Sequence, residues 1–445
     1  MRLADLRGRT VAVWGSGREG VAAAAAIAAY GPARLVAVDD KANFLSLDWA
    51  HSKASDVPLV TGEACHGELM GAEVIVRSPG VPQTHPWIVA ARERGITVTG
   101  GTALWMADHA AATVGVTGSK GKSTTSSLIS HLLTAAGRPN VFGGNIGVPL
   151  LDLPDAGQYV LELSSYQCGD LTDSPRVAVV TALFPEHLDA HGGEREYYRD
   201  KLNLIAHGPE TVVVNGLDER LAAEIGDRPA VRAGLPDSYH VRDGIVYQAA
   251  VPLFERAALP LVGRHNERNL CVALAVLEAL GVDTVAAADT LAAAAKSFAA
   301  LPHRLTEIQD PSGLTFVDDT LATSPYASMH AIDAYDGRPL TVIVGGTDRG
   351  LDYTPLREHL TGRELTVIGI PDSGARIVAA LEGLPGVRTE AADDLVAAVR
   401  LARELTPPGG AVLLSPAAPS YGHFRNFEHR SEVFAQAVRD TAPTV

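Results

Sequence analysis

The sequence has few cysteines and no long hydrophobic run. Its 445 residues include 3 cysteines, Cys65, Cys168 and Cys271, which lie far apart and form no CxxC pair. This spacing excludes a disulfide framework and a thiolate zinc site. The longest apolar run, 21–30, is mostly alanine and is too short to span a bilayer. Because no basic and apolar leader opens the chain, we expect a reduced, cytoplasmic protein without membrane contact.

Positive charge is also scarce. Lys and Arg number 37 against 52 Asp and Glu, which gives a net charge of -15. A nucleic-acid scaffold that depends on a large positive field is therefore excluded, whereas a small anionic ligand needs only a local cradle. With 46% hydrophobic and 20% charged residues the chain has a globular composition. We expect several domains, no nucleic-acid partner and a monomer.

Short β-branched runs alternate with helical patterns along the whole chain. The cycle begins at a strand over 10–14, starts again at 113–116, and starts a third time near residue 301. This alternation predicts an α/β protein of three units with mainly parallel sheets. We place the boundaries near residues 105 and 300, so the expected domains are 1–105, 106–300 and 301–445.

A glycine-rich loop lies directly between the second starting strand and a helix that extends to about Ala136. It reads Thr117-Gly118-Ser119-Lys120-Gly121-Lys122-Ser123-Thr124. Such a loop brings backbone N–H groups and a helix N-terminus to phosphate oxygens, with Lys122 on the β- and γ-phosphates and a hydroxyl on Mg²⁺. The strict phosphate-loop pattern is not met, because Val116 stands where its first glycine belongs. A serine-capped turn is the alternative to a nucleotide site.

A second glycine loop follows the first strand. It has the spacing Gly15-x-Gly17-x-x-Gly20, and Asp39 lies about 20 residues further on. Three interpretations stay open from these residues: an NAD(P) site with Asp39 on a ribose diol, a site for another pyrophosphate ligand such as a UDP-sugar, or a tight turn.

The order of further motifs is more specific than either loop. After the phosphate loop come Gly143-Gly144-Asn145-Ile146-Gly147, Glu162-Leu163-Ser164-Ser165-Tyr166-Gln167, Glu186-His187-Leu188-Asp189, Tyr198-Arg199-Asp200-Lys201-Leu202, His265-Asn266, Leu301-Pro302-His303-Arg304, Asp318-Asp319-Thr320 and Ser415-Pro416-Ala417. Over essentially the whole chain this order resembles the Mur ligase family, ATP-dependent enzymes that form amide bonds in peptidoglycan precursors. The first glycine loop, Ser78-Pro79-Gly80 and the run 424–428 resemble its glutamate-adding members.

The resemblance implies a fold of three domains, and it implies residues for the UDP-sugar site and for the ATP site. These domains are a Rossmann-like domain for the UDP-sugar, a central ATPase-type domain and a C-terminal Rossmann-like domain for the amino acid. The acceptor implied is UDP-N-acetylmuramoyl-L-alanine, with a pocket of Ser16, Arg18, Glu19, Asp39, Asp40, Lys41, Gly80, Asn145, Ser164 and Gln167. ATP would be bound by Gly118, Ser119, Lys120, Gly121, Lys122, Ser123, Thr124, Asn266, Asn269, Arg304 and Asp319.

The resemblance also implies the chemistry of the centre. ATP would phosphorylate the alanyl carboxylate, and the glutamate amine would then displace phosphate. The catalytic residues implied are Lys122, Glu162, His187, Lys201 and Arg304. Two Mg²⁺ ions would be held by Ser123, Thr124, Glu162, His187 and an N-carboxylated Lys201. An ordinary surface lysine in the helical pattern 194–204 is the alternative for Lys201.

The third unit departs from the family pattern for D-glutamate. Where the family has Asp-Ser-Lys-Ala-Thr-Asn, this chain reads Asp319-Thr320-Leu321-Ala322-Thr323-Ser324, and Arg349 replaces a second typical lysine. This run resembles the subgroup that adds L-glutamate, so we expect the L isomer, with the D isomer as the alternative. The amino acid would be held by Thr323, Arg349, Ser415, Ser420 and Phe427.

Three rival functions are distinguishable. Folylpolyglutamate synthase belongs to the same superfamily but lacks a UDP-sugar domain, whereas roughly 105 residues precede the phosphate loop here. An NAD(P) oxidoreductase would leave Lys122, Glu162 and Lys201 without a role. A catalytically silent binding protein would also have no need of Lys122, Glu162 and Lys201.

Overall fold

The structure is a computed structural model that describes residues 1–40, 49–146, 148–186, 188–261, 263–299, 303–348, 350–420 and 424–443. It divides into two compact units, one formed by Met1–Pro260 with Asn266–Phe298 and the other by Leu261–His265 with Ala299–Val445. The sequence-based division at residues 105 and 300 stays a prediction. None of the helices in these described ranges has the length and apolar character needed to cross a membrane.

The first sheet of the larger unit is parallel and has the strand order β3-β2-β1-β4-β5. Its strands are β1 Thr10–Trp14, β2 Arg34–Asp39, β3 Leu59–Thr61, β4 Val74–Arg77 and β5 Thr97–Gly100. The helices that accompany them are Arg18–Ala28, Cys65–Met70, Pro86–Glu93 and Gly101–His109, with short 3-10 turns at Leu3–Leu6, Trp49–His51, Gly62–Ala64 and Ala110–Ala112. Because β1 lies between β2 and β4, the strand order reverses there, and ligands bind at such a point beyond the carboxyl ends of the strands.

The second sheet is also parallel, with the order β11-β10-β9-β6-β8-β7. Its strands are β6 Thr113–Thr117, β7 Val141–Gly144, β8 Tyr159–Glu162, β9 Val177–Val180, β10 Thr211–Asn215 and β11 Val231–Ala233. The helices are Lys122–Ala135, Ser165–Cys168, Leu188–His191, Glu194–Leu202, Glu219–Ile225, Arg264–Ala279 and Ala288–Ser297, with 3-10 turns at Leu150–Asp152, Asn203–Ile205 and Arg256–Ala258. Since β6 is flanked by β8 and β9, residues after these three strands meet at one edge.

A small antiparallel sheet in the same unit was not predicted. Its strands β12 Tyr239–Arg242, β13 Ile245–Gln248 and β14 Val251–Glu255 pair in sequence order. Both residues of the turn Asp243-Gly244 have positive φ, as the tightest hairpins require. The Asp-Gly pair was therefore a readable hairpin signal between two strands.

The smaller unit contains one sheet, ordered β15-β16-β20-β17-β18-β19. Its strands are β15 Thr306–Gln309, β16 Thr315–Asp318, β17 Leu340–Gly346, β18 Leu365–Asp372, β19 Val387–Ala391 and β20 Ala411–Leu414. Only β15 pairs antiparallel among these strands. The helices are Pro325–Asp333, Thr354–His359, Ser373–Leu381, Leu395–Leu405 and Phe427–Asp440. The α/β class and the mainly parallel sheets predicted from the sequence are confirmed.

Candidate active site

The phosphate loop connects β6 to the helix Lys122–Ala135 and is built for close backbone approach. Gly118 has φ +146°, and a Cβ there would lie 2.1 Å from Thr181 Oγ1. Gly121 has φ +84°, and its Cβ would lie 2.7 Å from Asn269 Oδ1. Side chains are thus excluded at both glycines, and the helix N-terminus after Gly121 adds partial positive charge for an anion.

Two lysine amines meet at one carbonyl of this loop. Lys122 Nζ and Lys201 Nζ each donate a hydrogen bond to Gly118 O, both at 2.9 Å. The side chain of Lys201 is fully buried, and its amine lies 4.8 Å from the centre of the Tyr197 ring. Burial, and then the nearby charge of Lys122, lower the pKa of Lys201 to about 7. Lys201 is therefore not the exposed surface lysine that its helical pattern alone allowed.

Hydrogen bonds of Ser119 stabilise the phosphate loop. Its amide donates to Ala182 O at 2.8 Å and its hydroxyl to Phe184 O at 2.7 Å. The same hydroxyl lies 3.0 Å from the Tyr197 phenol oxygen. Ser123 is buried and Thr124 half-buried in the first turn of the following helix.

Glu162 ends β8 beside the phosphate loop. Its Oε1 accepts a hydrogen bond from Asn145 Nδ2 at 2.8 Å, and its Oε2 is buried without a hydrogen-bond partner among the described residues. A buried carboxylate oxygen with no donor is costly, and a hard cation such as Mg²⁺ would satisfy it. A Cβ at Gly144 would lie 2.2 Å from Glu162 O, so the chain needs glycine there.

The acidic, histidine and cysteine side chains of the described residues do not by themselves complete a metal site. Within the described ranges, no three such side chains come together as a cluster that could hold an ion. Around Glu162, further ligands would have to come from hydroxyls, such as those of Ser123 or Thr124, or from phosphate and water. His187, predicted as a second ligand, lies outside the described residues.

A cavity of about 630 Å³ lies at the carboxyl ends of β1 and β4 and reaches the second sheet. Eight of the residues predicted for the UDP-substrate line it, namely Ser16, Arg18, Glu19, Asp39, Asp40, Gly80, Asn145 and Gln167. Ser164 is not among the lining residues, but its hydroxyl accepts from Gln167 N and caps the short helix Ser165–Cys168. Lys41 lies outside the described residues.

Several polar groups of this cavity are already engaged in the protein. Asp39 Oδ2 accepts from Ser16 N at 3.0 Å and also from the Ser16 hydroxyl, so Asp39 braces the glycine loop. In contrast, Gln167 Nε2 is buried with no partner among the described residues, which leaves a donor for a ligand. Burial raises the pKa of Glu19 to about 7.

The smaller unit brings its predicted residues to the carboxyl ends of β16, β20 and β17. Asp319 Oδ2 accepts from Ser415 Oγ at 3.0 Å, so two residues predicted for ATP and for glutamate bond to each other. Ser420 is buried, whereas Arg304, Thr323 and Phe427 are half-buried. Arg349 lies outside the described residues.

Sequence reasoning missed Arg430, which is fully buried in this unit. Its guanidinium donates to Thr320 Oγ1 and to Thr320 O, each at 2.7 Å, and to Ala418 O at 3.2 Å. It therefore ties together the two loops that carry Thr323 and Ser420. Arg430 lies at helical spacing from the buried residues Phe434, Ala437 and Val438. A charge on that apolar face was the available signal.

Asn266 and Asn269 lie in the helix Arg264–Ala279, and both are buried. Asn269 Nδ2 donates to Asn266 Oδ1 at 3.0 Å, and Asn269 also borders Gly121. The structure thus places this pair next to the phosphate loop. Their predicted position on the adenine side stays a prediction.

Comparisons with known proteins agree with this geometry. The profile of the Mur ligase middle domain matches residues 116–277, and that of the Mur ligase MurD-like N-terminal domain matches residues 9–100. UDP-N-acetylmuramoyl-L-alanine--L-glutamate ligase of a Micromonospora species is 78% identical, with 99% of each chain covered. The protein of the same name from Xanthomonas oryzae is 40% identical, with 98% of this chain and 96% of its own covered.

Solved structures show the same fold at low sequence identity. UDP-N-acetylmuramate-alanine ligase of Thermotoga maritima has a TM-score of 0.60 at 18% identity, covering 97% of this chain and 100% of its own. The MurF ligase of that organism, solved in complex with ADP, has a TM-score of 0.56 at 19% identity, covering 99% and 97%. These structures show the fold, while the two relatives and the two family profiles establish that the chain belongs to the Mur ligase family of ligases.

Proposed function

We propose that this protein is an ATP-dependent ligase that joins the amino group of L-glutamate to the alanyl carboxyl of UDP-N-acetylmuramoyl-L-alanine. The observation that carries the proposal is the convergence of Lys122 and Lys201 on Gly118 O, beside a Glu162 oxygen that has no hydrogen-bond partner among the described residues. The names of relatives that match nearly the whole chain supply the substrate pair. The order of motifs along the sequence supports the same reaction.

The reaction has to bring three anionic groups together: the triphosphate, the alanyl carboxylate and glutamate. The carboxylate oxygen attacks the γ-phosphorus, ADP leaves, and an acyl phosphate results. The glutamate amine then attacks the acyl carbon, loses a proton, and phosphate departs as the amide forms. Lys122 and the helix N-terminus after Gly121 would stabilise the charge on the transferring phosphoryl group. We propose Arg304 as a further cation for the same group.

Mg²⁺ would supply further charge compensation at the phosphates. Glu162 fits the role of ligand because its Oε2 is buried and receives no hydrogen bond from the part of the chain that the structure describes. Ser123 or Thr124 would add a hydroxyl oxygen. A second ion near His187 remains part of the proposal.

We include N-carboxylation of Lys201 in this function. CO₂ adds to the uncharged amine, an N–C bond forms, and one proton is released, so a neutral amine becomes a carboxylate. The lowered pKa of Lys201, about 7, makes the uncharged amine abundant at neutral pH. The product would face the phosphate loop, since the amine already contacts Gly118 O.

We assign the proposed pocket residues substrate by substrate. The UDP-sugar would occupy the cavity at β1 and β4, with Asn145 at the muramoyl part of the substrate. Ser164 and Lys41 are further proposed ligands of the same substrate. Asn266, Asn269 and Asp319 would hold the nucleoside of ATP. Glutamate would be held by Thr323, Arg349, Ser415, Ser420 and Phe427. We propose a cytoplasmic monomer that works on these small molecules.

The L isomer is proposed because Leu321 stands where a cation belongs in the D-glutamate pattern. Inverting the α-carbon moves the α-carboxylate relative to the attacking amine, so the L isomer would not place this group at the same lysine, and loss of that charge suits the L isomer. Replacing Leu321 by Lys should lower the ratio of kcat/KM for L-glutamate to that for D-glutamate. Leu217→Lys, at a leucine that is 46% exposed in the larger unit, is the matched control.

The deciding experiment measures ADP release with UDP-N-acetylmuramoyl-L-alanine and pure L- or D-glutamate. We expect turnover that needs the acceptor, Mg²⁺ and an amino acid, and that is faster with L-glutamate. Faster turnover with D-glutamate would contradict the isomer assignment. No ADP with either isomer would contradict the whole proposal, and a change of NADH absorbance instead would identify an oxidoreductase.

A further inference from the structure

A buried hydrogen-bonded chain of Ser165, His191 and Asp200 lies beside the proposed centre and has no part in the reaction above. His191 Nδ1 is 2.8 Å from Asp200 Oδ2, and His191 Nε2 is 3.0 Å from Ser165 Oγ. All three residues are buried. Since an ionised Asp200 can only accept, His191 Nδ1 carries a proton and donates it to this carboxylate.

The ring of His191 is also packed tightly. It stacks on the ring of Tyr166 with centroids 4.8 Å apart, and it meets Tyr197 edge-on at 5.3 Å. Asp200 has a second partner, because Arg199 reaches its Oδ1 at 3.0 Å. Although the order Ser, His, Asp resembles that of hydrolases, Ser165 is only 3% exposed, so its hydroxyl is not open to a substrate. The arrangement holds elements together.

The two outer residues of this hydrogen-bonded series, Ser165 and Asp200, lie close in sequence to residues of the proposed active site. Ser165 follows Ser164, three positions after Glu162, at the end of β8. Asp200 precedes Lys201 on the helix Glu194–Leu202, and successive helical residues point about 100° apart. Asp200 thus faces His191 while Lys201 faces Gly118 O.

We propose that His191 is a positioning residue that fixes the helix carrying Lys201 relative to the β8 end carrying Glu162. A helix held at Asp200 keeps the Lys201 amine at its 2.9 Å contact with Gly118 O. Without the hydrogen bond between His191 and Asp200 the helix can shift or rotate. A misplacement of about 1 Å lowers the rate roughly 100-fold. This inference rests on the proposed function of Lys201.

The test compares two replacements of His191. His191→Phe retains an aromatic ring against Tyr166 but removes both hydrogen bonds. His191→Gln supplies an amide whose donor and acceptor atoms are spaced much like the two ring nitrogens. His240→Phe is the matched control, because His240 is buried and stacked on Tyr247 at 5.3 Å in the separate antiparallel sheet.

We expect His191→Phe to lower kcat by roughly 10- to 100-fold, with KM for ATP changed less than about threefold. His191→Gln should recover most of kcat, and His240→Phe should match the wild type. Amide hydrogen exchange of residues 194–202, measured by mass spectrometry, should accelerate in His191→Phe and return toward wild type in His191→Gln. A kcat for His191→Phe within twofold of wild type would overturn the proposal, as would equal losses in the two variants.

The exchange measurement separates this proposal from the proposed function. If the wild-type chain forms no ADP, the function fails, and unchanged exchange in residues 194–202 of His191→Phe overturns the positioning role independently. If the wild type is active and exchange accelerates only in His191→Phe, both hold.

Discussion

Carboxylation of Lys201 should depend on pH in a way that an ordinary lysine does not allow. CO₂ reacts only with the uncharged amine. Because burial and the charge of Lys122 lower the pKa of Lys201 to about 7, about half of this amine is uncharged at pH 7. A lysine with an ordinary pKa of about 10.4 is uncharged in roughly one molecule in 2,500 at that pH. At pH 7 the uncharged fraction of Lys201 is therefore about 1,000-fold above that of a surface lysine.

The assay first removes CO₂ by incubation at mildly acidic pH under nitrogen. CO₂ is then restored at a fixed dissolved concentration, and the recovery of ADP formation is followed in time at several pH values. The recovery rate should rise about tenfold per pH unit below pH 7 and level off above about pH 8, following the uncharged fraction. A carbamate signal from ¹³C-labelled CO₂ should appear in the wild type and be absent in Lys201→Ala.

Two results would refute this reasoning. A recovery rate that keeps rising tenfold per unit up to about pH 9 would show an ordinary lysine pKa. Activity that never responds to CO₂ removal, or near-normal turnover in Lys201→Ala without an added short-chain acid, would remove the role altogether. We expect Lys201→Ala to lose most activity and a short-chain acid to restore part of it. Lys296→Ala, at an exposed lysine of the same unit, should change neither property.

Three further predictions concern the phosphate loop, the metal ligand and a buried ion pair. Gly118→Ala should lower kcat/KM for ATP at least about 100-fold, because its Cβ meets Thr181 Oγ1; Gly137→Ala, also at positive φ but with no atom within 4 Å, should cost only about 1 kcal/mol in unfolding free energy. Glu162→Gln should raise the Mg²⁺ concentration for half-maximal ADP release and lower kcat, and an unchanged Mg²⁺ titration would contradict the ligand role. Asp170→Asn should cost about 3–5 kcal/mol in a urea unfolding experiment, because it leaves the buried Arg77 guanidinium, 2.7 Å from Asp170, without a countercharge. Loss of the exposed Lys53–Asp152 pair through Lys53→Ala should cost below about 1 kcal/mol, and equal losses in the two variants would contradict this reasoning.

Much of the fold could be predicted from local patterns. The strand predicted over 10–14 is observed as Thr10–Trp14, and the helix after the phosphate loop, predicted to end near Ala136, ends at Ala135. These segments are long or strongly β-branched, and each is bounded by glycines, so local propensity and burial agree. The antiparallel sheet β12–β14 was missed because its short strands are only partly buried.

Parts of the site needed the three-dimensional structure. The hydrogen bonds among Ser165, His191 and Asp200 join residues that are 26 and 9 positions apart. Bonds between such positions produce no periodic pattern in the sequence. Arg430 reaches Thr320 across 110 positions for the same reason. The spacing of Asp39 left three interpretations open, one of them a ribose ligand, and only its contacts with Ser16 show that it holds the glycine loop.

The amino-acid order by itself determined the strand–helix alternation, the two glycine loops and the family, because these depend on neighbours along the chain. The tertiary structure alone decided that Lys201 is buried with a lowered pKa and that it shares a carbonyl with Lys122. It also decided that one carboxylate oxygen of Glu162 has no donor within the described ranges. The physical reason is that burial and charge proximity arise where the ends of β6 and β8 meet a distant helix. Desolvation and Coulomb interactions depend on that distance in space, which the separation along the chain does not fix.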